Sequence, residues 1–144
     1  MDDTAIANMI SEFVDKDFAL CDKKKGWDCL NSLMTFYESF GYQFPIEYMG
    51  WTKENYGIRW GKDQKEGRKI FGEFLLGLGH EIAFSEILRG DLLIFQAEEL
   101  GIFPGIYLGN GNIFMVFDKG AKVIPLKVLK SKLINIKRMI GNNV

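Results

Sequence analysis

The sequence predicts an α+β fold, with N-terminal helices packed on a C-terminal antiparallel sheet. Two observations predict it. In the first half, apolar residues recur at helical spacing; past residue 88 they switch to short runs separated by turn signals. Runs of helices followed by runs of strands indicate α+β, rather than the alternating order that builds a parallel sheet. At 144 residues, with no linker, repeat or low-complexity stretch, the chain reads as one domain over 1–144.

In chain order, residues 3 to 20 read as an amphipathic helix. Ile6, Met9, Ile10, Phe13 and Val14 recur on one face, and Asp3 or Thr4 can cap its start. Residues 21 to 28 are a polar turn. A second helix is predicted from Cys29 to Phe40, with Leu30, Leu33, Met34 and Tyr37 as its apolar stripe, Asp28 as N-cap and Gly41 as stop. Residues 42 to 61 contain Pro45, three glycines and Tyr48, Trp51, Tyr56 and Trp60, and read as a long loop with local turns. The row Gly67, Ile70, Phe71, Phe74, Leu75, Leu78 marks a third helix ending near Gly77 or Gly79.

Strands follow at Leu92 to Phe95, Gly105 to Leu108, Ile113 to Phe117, Ala121 to Ile124 and Leu133 to Met139. Asn110-Gly111 between apolar runs is a strong hairpin signal, and Asp118-Lys119-Gly120 turns again. The expectation is an antiparallel meander.

Composition excludes several classes of function. Hydrophobic residues make up 47% and charged residues 26%, the balance of a globular domain with a real core. The net charge of −1 argues against nucleic acid as partner, and the lysine clusters at 23–25 and 119–138 read as solvated surface. No apolar run is long enough to span a bilayer. The acidic Met-Asp-Asp start is unlike a signal peptide, so synthesis in a bacterial cytoplasm is expected. Two cysteines, Cys21 and Cys29, make no disulfide framework. With one histidine they leave at most three soft ligands, so neither a metal nor another cofactor is expected.

Asp28-Cys29 at a helix start is the feature that bears on chemistry. A sulfur in the first helical turn feels the positive end of the macrodipole and nearby free amides, which favour the nucleophilic thiolate. Taken alone, a free cysteine is more often a small buried apolar residue.

Three motifs in order change that balance: Gly26-Trp27-Asp28-Cys29-Leu30-Asn31-Ser32-Leu33, Arg89-Gly90-Asp91-Leu92-Leu93-Ile94-Phe95, and Gly105-Ile106-Tyr107-Leu108-Gly109-Asn110-Gly111. Over roughly residues 15 to 140 the chain resembles the NlpC/P60 family of papain-like cysteine peptidases. That resemblance implies a papain-like fold with a half-barrel sheet, and Cys29 as nucleophile. It implies a general-base histidine at position 103 and a third polar residue at position 115. Those positions hold Phe103 and Met115, and neither side chain accepts a proton or orients an imidazole. The single histidine, His80, lies outside the family pattern and reads as a partly exposed loop residue before it reads as a relocated base. General-base assistance contributes about 10²–10⁴-fold, so its loss removes most amidase proficiency.

Two functions follow from the resemblance. In the first, the chain is a degenerate domain that binds or builds. It then resembles the subset encoded by phages and prophages in tail-tip or tail-assembly gene sets, with other tail proteins as partners and a virion or phage-like particle as destination. In the second, it is an active cysteine hydrolase cutting peptidoglycan peptides, with Cys29 as nucleophile and His80 or a partner's group as base. The aromatics of 42–61 read first as a plug over the core and second as a groove that stacks on a ligand. Residues 100 to 104 and 42 to 61 are the expected partner-facing surface.

Overall fold

The computed structural model describes residues 4–8, 28–98, 101–117 and 120–139. Of the helix expected over 3–20, residues 4–8 are helical and Ile6 is buried in the main core. The rest of that helix, and the turn carrying Cys21, lie outside the described residues.

Helix α1 runs Cys29–Ser39. Its start is fixed by a capping box: the Asp28 carboxylate accepts from the Asn31 amide at 2.6 Å, and the Asn31 side chain accepts from the Asp28 amide at 2.9 Å. Leu33, Met34, Phe36 and Tyr37 are its buried face. The expected long loop over 42–61 is more ordered than its composition suggests. It holds a small hairpin, β1 (Glu47–Tyr48) and β2 (Trp51–Thr52), and then helix α2 (Tyr56–Lys62). The third predicted helix is α3, Gln64–Leu76. It begins three residues earlier than its apolar row because Asp63 caps it on the Glu66 amide.

One six-stranded sheet follows, built from β3 (His80–Glu81), β4 (Leu92–Ala97), β5 (Gly101–Gly109), β6 (Asn112–Phe117), β7 (Gly120–Pro125) and β8 (Leu133–Arg138). Its spatial order is β3-β8-β4-β5-β6-β7, with every neighbouring pair antiparallel. The α+β reading holds. The simple meander holds only for β4 to β7: β8 returns across the sheet and inserts between β3 and β4. The β5–β6 hairpin turns at Asn110 and Gly111, with φ of +53° and +76°. Two successive positive values define the type I′ turn that an Asn-Gly pair favours.

β4 is buried throughout Leu92 to Phe95 because both its faces are covered. Leu92 and Ile94 join a core cluster with Leu33, Phe36, Tyr37 and Leu75 of the helices. Leu93 and Phe95 point the other way, into a cluster with Ile113, Met115, Leu126 and Ile136. This alternation is the two-residue period of a strand between two layers.

The Gly90-Asp91 motif has a structural role here. Tyr37 donates from its hydroxyl to the Gly90 carbonyl at 2.7 Å, fastening α1 to the turn before β4. The buried Asp91 carboxylate accepts from the Leu88 amide at 2.8 Å and from Arg138 Nε and Nη2 at 3.0 and 2.8 Å. Arg138 also donates to the Glu86 carbonyl at 2.9 Å, so this cluster ties β8 to β4.

Candidate functional site

Cys29 is the first residue of α1, and α1 leans its N-terminus on β5 and β6. Antiparallel pairing of those two strands begins at Ile106 with Phe114; nearer the start of β5 the register records none. Pro104, which has no N–H to donate, lies in the unpaired stretch and pairs only with Ile94 of β4. The sulfur-bearing residue sits at this divergence. Between Cys29 and the strands is a gap of about 10 Å³, bordered by Ser32, Pro104, Gly105 and Met115. That is the room one water molecule needs, and far less than an imidazole needs.

The structure brings three of the residues named from sequence to this place and keeps two away. Asp28 and Cys29 are adjacent at the helix head, and Met115 borders the gap. Phe103 is half-buried on β5 and stacks on Phe95, ring centres 5.5 Å apart, within the second core cluster. His80 is exposed on the short edge strand β3, paired with Arg138, where the sequence suggested a loop. Strands β8 and β4 separate β3 from β5, a distance along the sheet of about 14 Å at the usual strand spacing. His80 borders neither of the two cavities that Cys29 lines.

The electrostatics reverse one sequence expectation. The amides of Cys29 and Leu30 at the helix start do pull the thiol's pKa down. Burial pushes it up more strongly, and the neighbouring Asp28 carboxylate adds to that. The result is a rise from the ordinary 9.0 to about 12. Cys29 is therefore a neutral thiol at physiological pH. Asp28 itself is committed: its oxygens accept from the Asn31 amide and, at 2.7 Å, from the Tyr56 hydroxyl. Asp28→Asn keeps a good N-cap while removing the charge. It is expected to bring the Cys29 thiol partway back toward its ordinary range, and so to speed alkylation several-fold at pH 8. Rates followed by intact-protein mass spectrometry check this.

On its other side Cys29 lines a second cavity of about 140 Å³. The 42–61 aromatics answer to both readings: Trp51 and Tyr56 are buried, and Tyr48, Trp51, Tyr56 and Trp60 line the cavity together with Phe71 and Phe74 of α3, the Tyr48 and Phe74 rings meeting edge-on at 5.6 Å. The wall is held by a small polar brace. Arg59 donates to the Gly50 carbonyl at 2.8 Å and stacks over the Trp51 ring at 4.7 Å, fixing the β1–β2 hairpin against α2. Gly67 of α3 lets Trp60 lie against that helix; a Cβ there would fall 2.4 Å from the indole. Sequence alone did not locate this cavity, because its wall comes from α1, the hairpin, α2 and α3 together. Nor does 101–104 form an irregular surface: it is the first part of β5. Among the described residues no group of three or more His, Cys, Asp or Glu could hold a metal, and no helix is long and apolar enough to cross a membrane.

No protein-family model matches the chain, and no curated protein matches it in sequence. Solved structures do match in shape. An NlpC/P60 family protein from Bacillus cereus ATCC 10987 superposes with a TM-score of 0.66 at 16% identity, over 98% of this chain and 41% of that one. The NlpC/p60 domain of the peptidoglycan hydrolase SagA gives 0.63 at 18% identity, over 96% of this chain and 100% of that domain. NlpC2 from Trichomonas vaginalis gives 0.63 at 15% identity, over 95% and 46%. The chain thus spans less than half of two of these proteins and the whole of the third's domain. The likeness shows the fold: helices against a six-stranded antiparallel sheet, of the NlpC/P60 papain-like type.

Proposed function

We propose, on the premise that this chain is an NlpC/P60-like domain, that it uses the papain-like cleft to bind rather than to cut. The observation that carries the reading is the surroundings of Cys29. The sulfur is a neutral thiol, and the strands facing it offer Pro104, Gly105 and Met115. The carboxylate next to it in the chain, Asp28, is engaged by the Asn31 amide and the Tyr56 hydroxyl. Nucleophilic catalysis by cysteine needs a thiolate or a base within hydrogen-bonding reach, and the reading is supported by the absence of histidine among the described residues that border the sulfur's two cavities.

The finer proposal is that the domain is a structural or binding component of a phage or phage-like tail, at the tip or in assembly, among other tail proteins. Its support is the motif set: the Asp28-Cys29 helix and Gly90-Asp91 strand kept, with Phe103 and Met115 at the two polar positions. The competing reading is a peptidoglycan hydrolase acting through Cys29, favoured by the placement of that cysteine at a capped helix start beside a cavity.

The experiment is a cleavage assay on purified muropeptides, comparing the protein with its Cys29→Ala and His80→Ala variants. The binding reading predicts no product above the Cys29→Ala background. Turnover that disappears in Cys29→Ala establishes a hydrolase and ends the binding proposal. For the tail assignment, quantitative mass spectrometry of tails purified after prophage induction should find the chain at fixed stoichiometry; tails that assemble without it refute that assignment.

A further inference from the structure

The core cluster on the second face of the sheet takes no residue from α1, α2 or α3. It is covered instead by two connecting segments, 82–88 before β4 and 126–133 between β7 and β8. Ile82, Ile87, Leu126, Leu129 and Leu133 pack into the cluster and do the covering. Other apolar side chains nearby do no such work. Val128 is 61% exposed, and Phe84 and Ile134 are exposed as well.

Lysines alternate with these apolar groups. Lys127, Lys130 and Lys132 are all exposed, and none has a carboxylate within ion-pair distance among the described residues. Lys130 Nζ sits 4.5 Å over the Phe84 ring, which joins the two segments into one surface. The two segments hold one acidic residue, Glu86, whose carbonyl accepts from Arg138. The bias extends along the chain: 119–144 holds seven basic residues and no acidic one, against 11 basic and 19 acidic in 1–118.

We propose that this face docks an acidic segment of another protein that also carries apolar side chains. Its carboxylates meet Lys127, Lys130 and Lys132, and its apolar groups cover Val128 and Phe84. The lysines set the sign of the partner's charge, and the apolar groups between them set its class, since exposed apolar side chains framed by polar ones mark protein interfaces. Three lysines supply about 3 kcal/mol at an anionic lipid surface, and basic clusters that hold to lipid use four to eight. The phosphates of a nucleic acid would pair the lysines but leave Val128 and Ile134 uncovered. Neither cavity of Cys29 is bordered by these residues, so this surface is independent of whether the cleft binds or cuts.

The test is titration of the ¹⁵N-labelled full chain with the peptide acetyl-Glu-Leu-Glu-Phe-Glu-Leu-Glu-amide, following the backbone amide signals. Those of 127–132 and of Phe84 should shift together and saturate, with half-saturation below about 1 mM. Replacing both Lys130→Glu and Lys132→Glu should weaken binding by about tenfold or more, through like-charge repulsion. Val128→Ser should weaken it about fivefold, the loss of one apolar contact. The same peptide with serine at its three apolar positions should bind the unaltered chain about fivefold more weakly or worse. Absence of saturable shifts on this face overturns the proposal, as does equal binding of the serine peptide or binding unchanged by the double charge reversal. Tighter binding to phosphatidylglycerol vesicles or to a short DNA duplex assigns the face to another class of partner and overturns it too. Should a variant fail to fold, the comparison of the two peptides on the unaltered chain decides alone.

Discussion

At pH 7 Cys29 should react with iodoacetamide at least about thirtyfold more slowly than an unperturbed cysteine. A thiol raised from 9.0 to about 12 has a thiolate population about a thousandfold smaller at neutral pH. The rarer thiolate is the better nucleophile, and a Brønsted slope of about 0.4–0.5 returns roughly twentyfold of that loss. The remainder is still large, and partial burial of the side chain lowers it further. The measurement is intact-mass kinetics on Cys21→Ser protein, so that one thiol reports, against a short unstructured cysteine peptide. A rate equal to or above the peptide's would mean that the helix terminus outweighs burial and Asp28, contrary to the balance described above.

The second large effect concerns the fold. Arg138→Leu leaves the buried Asp91 carboxylate, among the described residues, with the Leu88 amide alone to satisfy its charge. Removing one partner of a buried pair costs about 3 kcal/mol or more, because the remaining charge stays desolvated. For a chain of this size that corresponds to a fall in Tm of roughly 10 °C. Adding Asp91→Asn to Arg138→Leu should cost less than the two single changes summed, since the stranded charge disappears. Thermal denaturation of the four proteins closes the cycle. Strict additivity would show that Asp91 and Arg138 act independently, and that β8 is held between β3 and β4 by its ladder and apolar contacts alone.

What the sequence made legible was local. Asp28 announced the start of α1 by the ability of its side chain to cap, and Asn110-Gly111 announced the β5–β6 turn by tolerance of positive φ. The apolar run at Leu92 marked the central strand because both faces of β4 are covered. The less legible features depend on partners distant in sequence. β3 is two residues long and exists only because Arg138 and Lys137 of β8 lie beside it. β5 extends back through Pro104, a residue that normally ends a strand, because β4 alone pairs there. Helix α2 has seven residues and no side-chain cap, so nothing in 42–61 marked it.

The site divides the same way. Cys29, Asp28 and the substitutions at Phe103 and Met115 were readable, because a family pattern fixed their positions. The cavity was not, because its aromatics acquire meaning only when α2, α3 and the small hairpin are placed around Cys29. The direction of the thiol's shift was not readable either. Helix position is a local property, whereas burial of the sulfur depends on the strands packed against it.

The most direct test is a titration of Cys29 itself, reading the ¹³Cβ shift of selectively labelled cysteine in Cys21→Ser protein from pH 5 to 12.5. The thiol should remain protonated through pH 10, with its midpoint near 12 and no response to His80→Ala. A midpoint below pH 8, or one that moves when His80 is replaced, would reveal a base coupled to the sulfur and contradict the binding account.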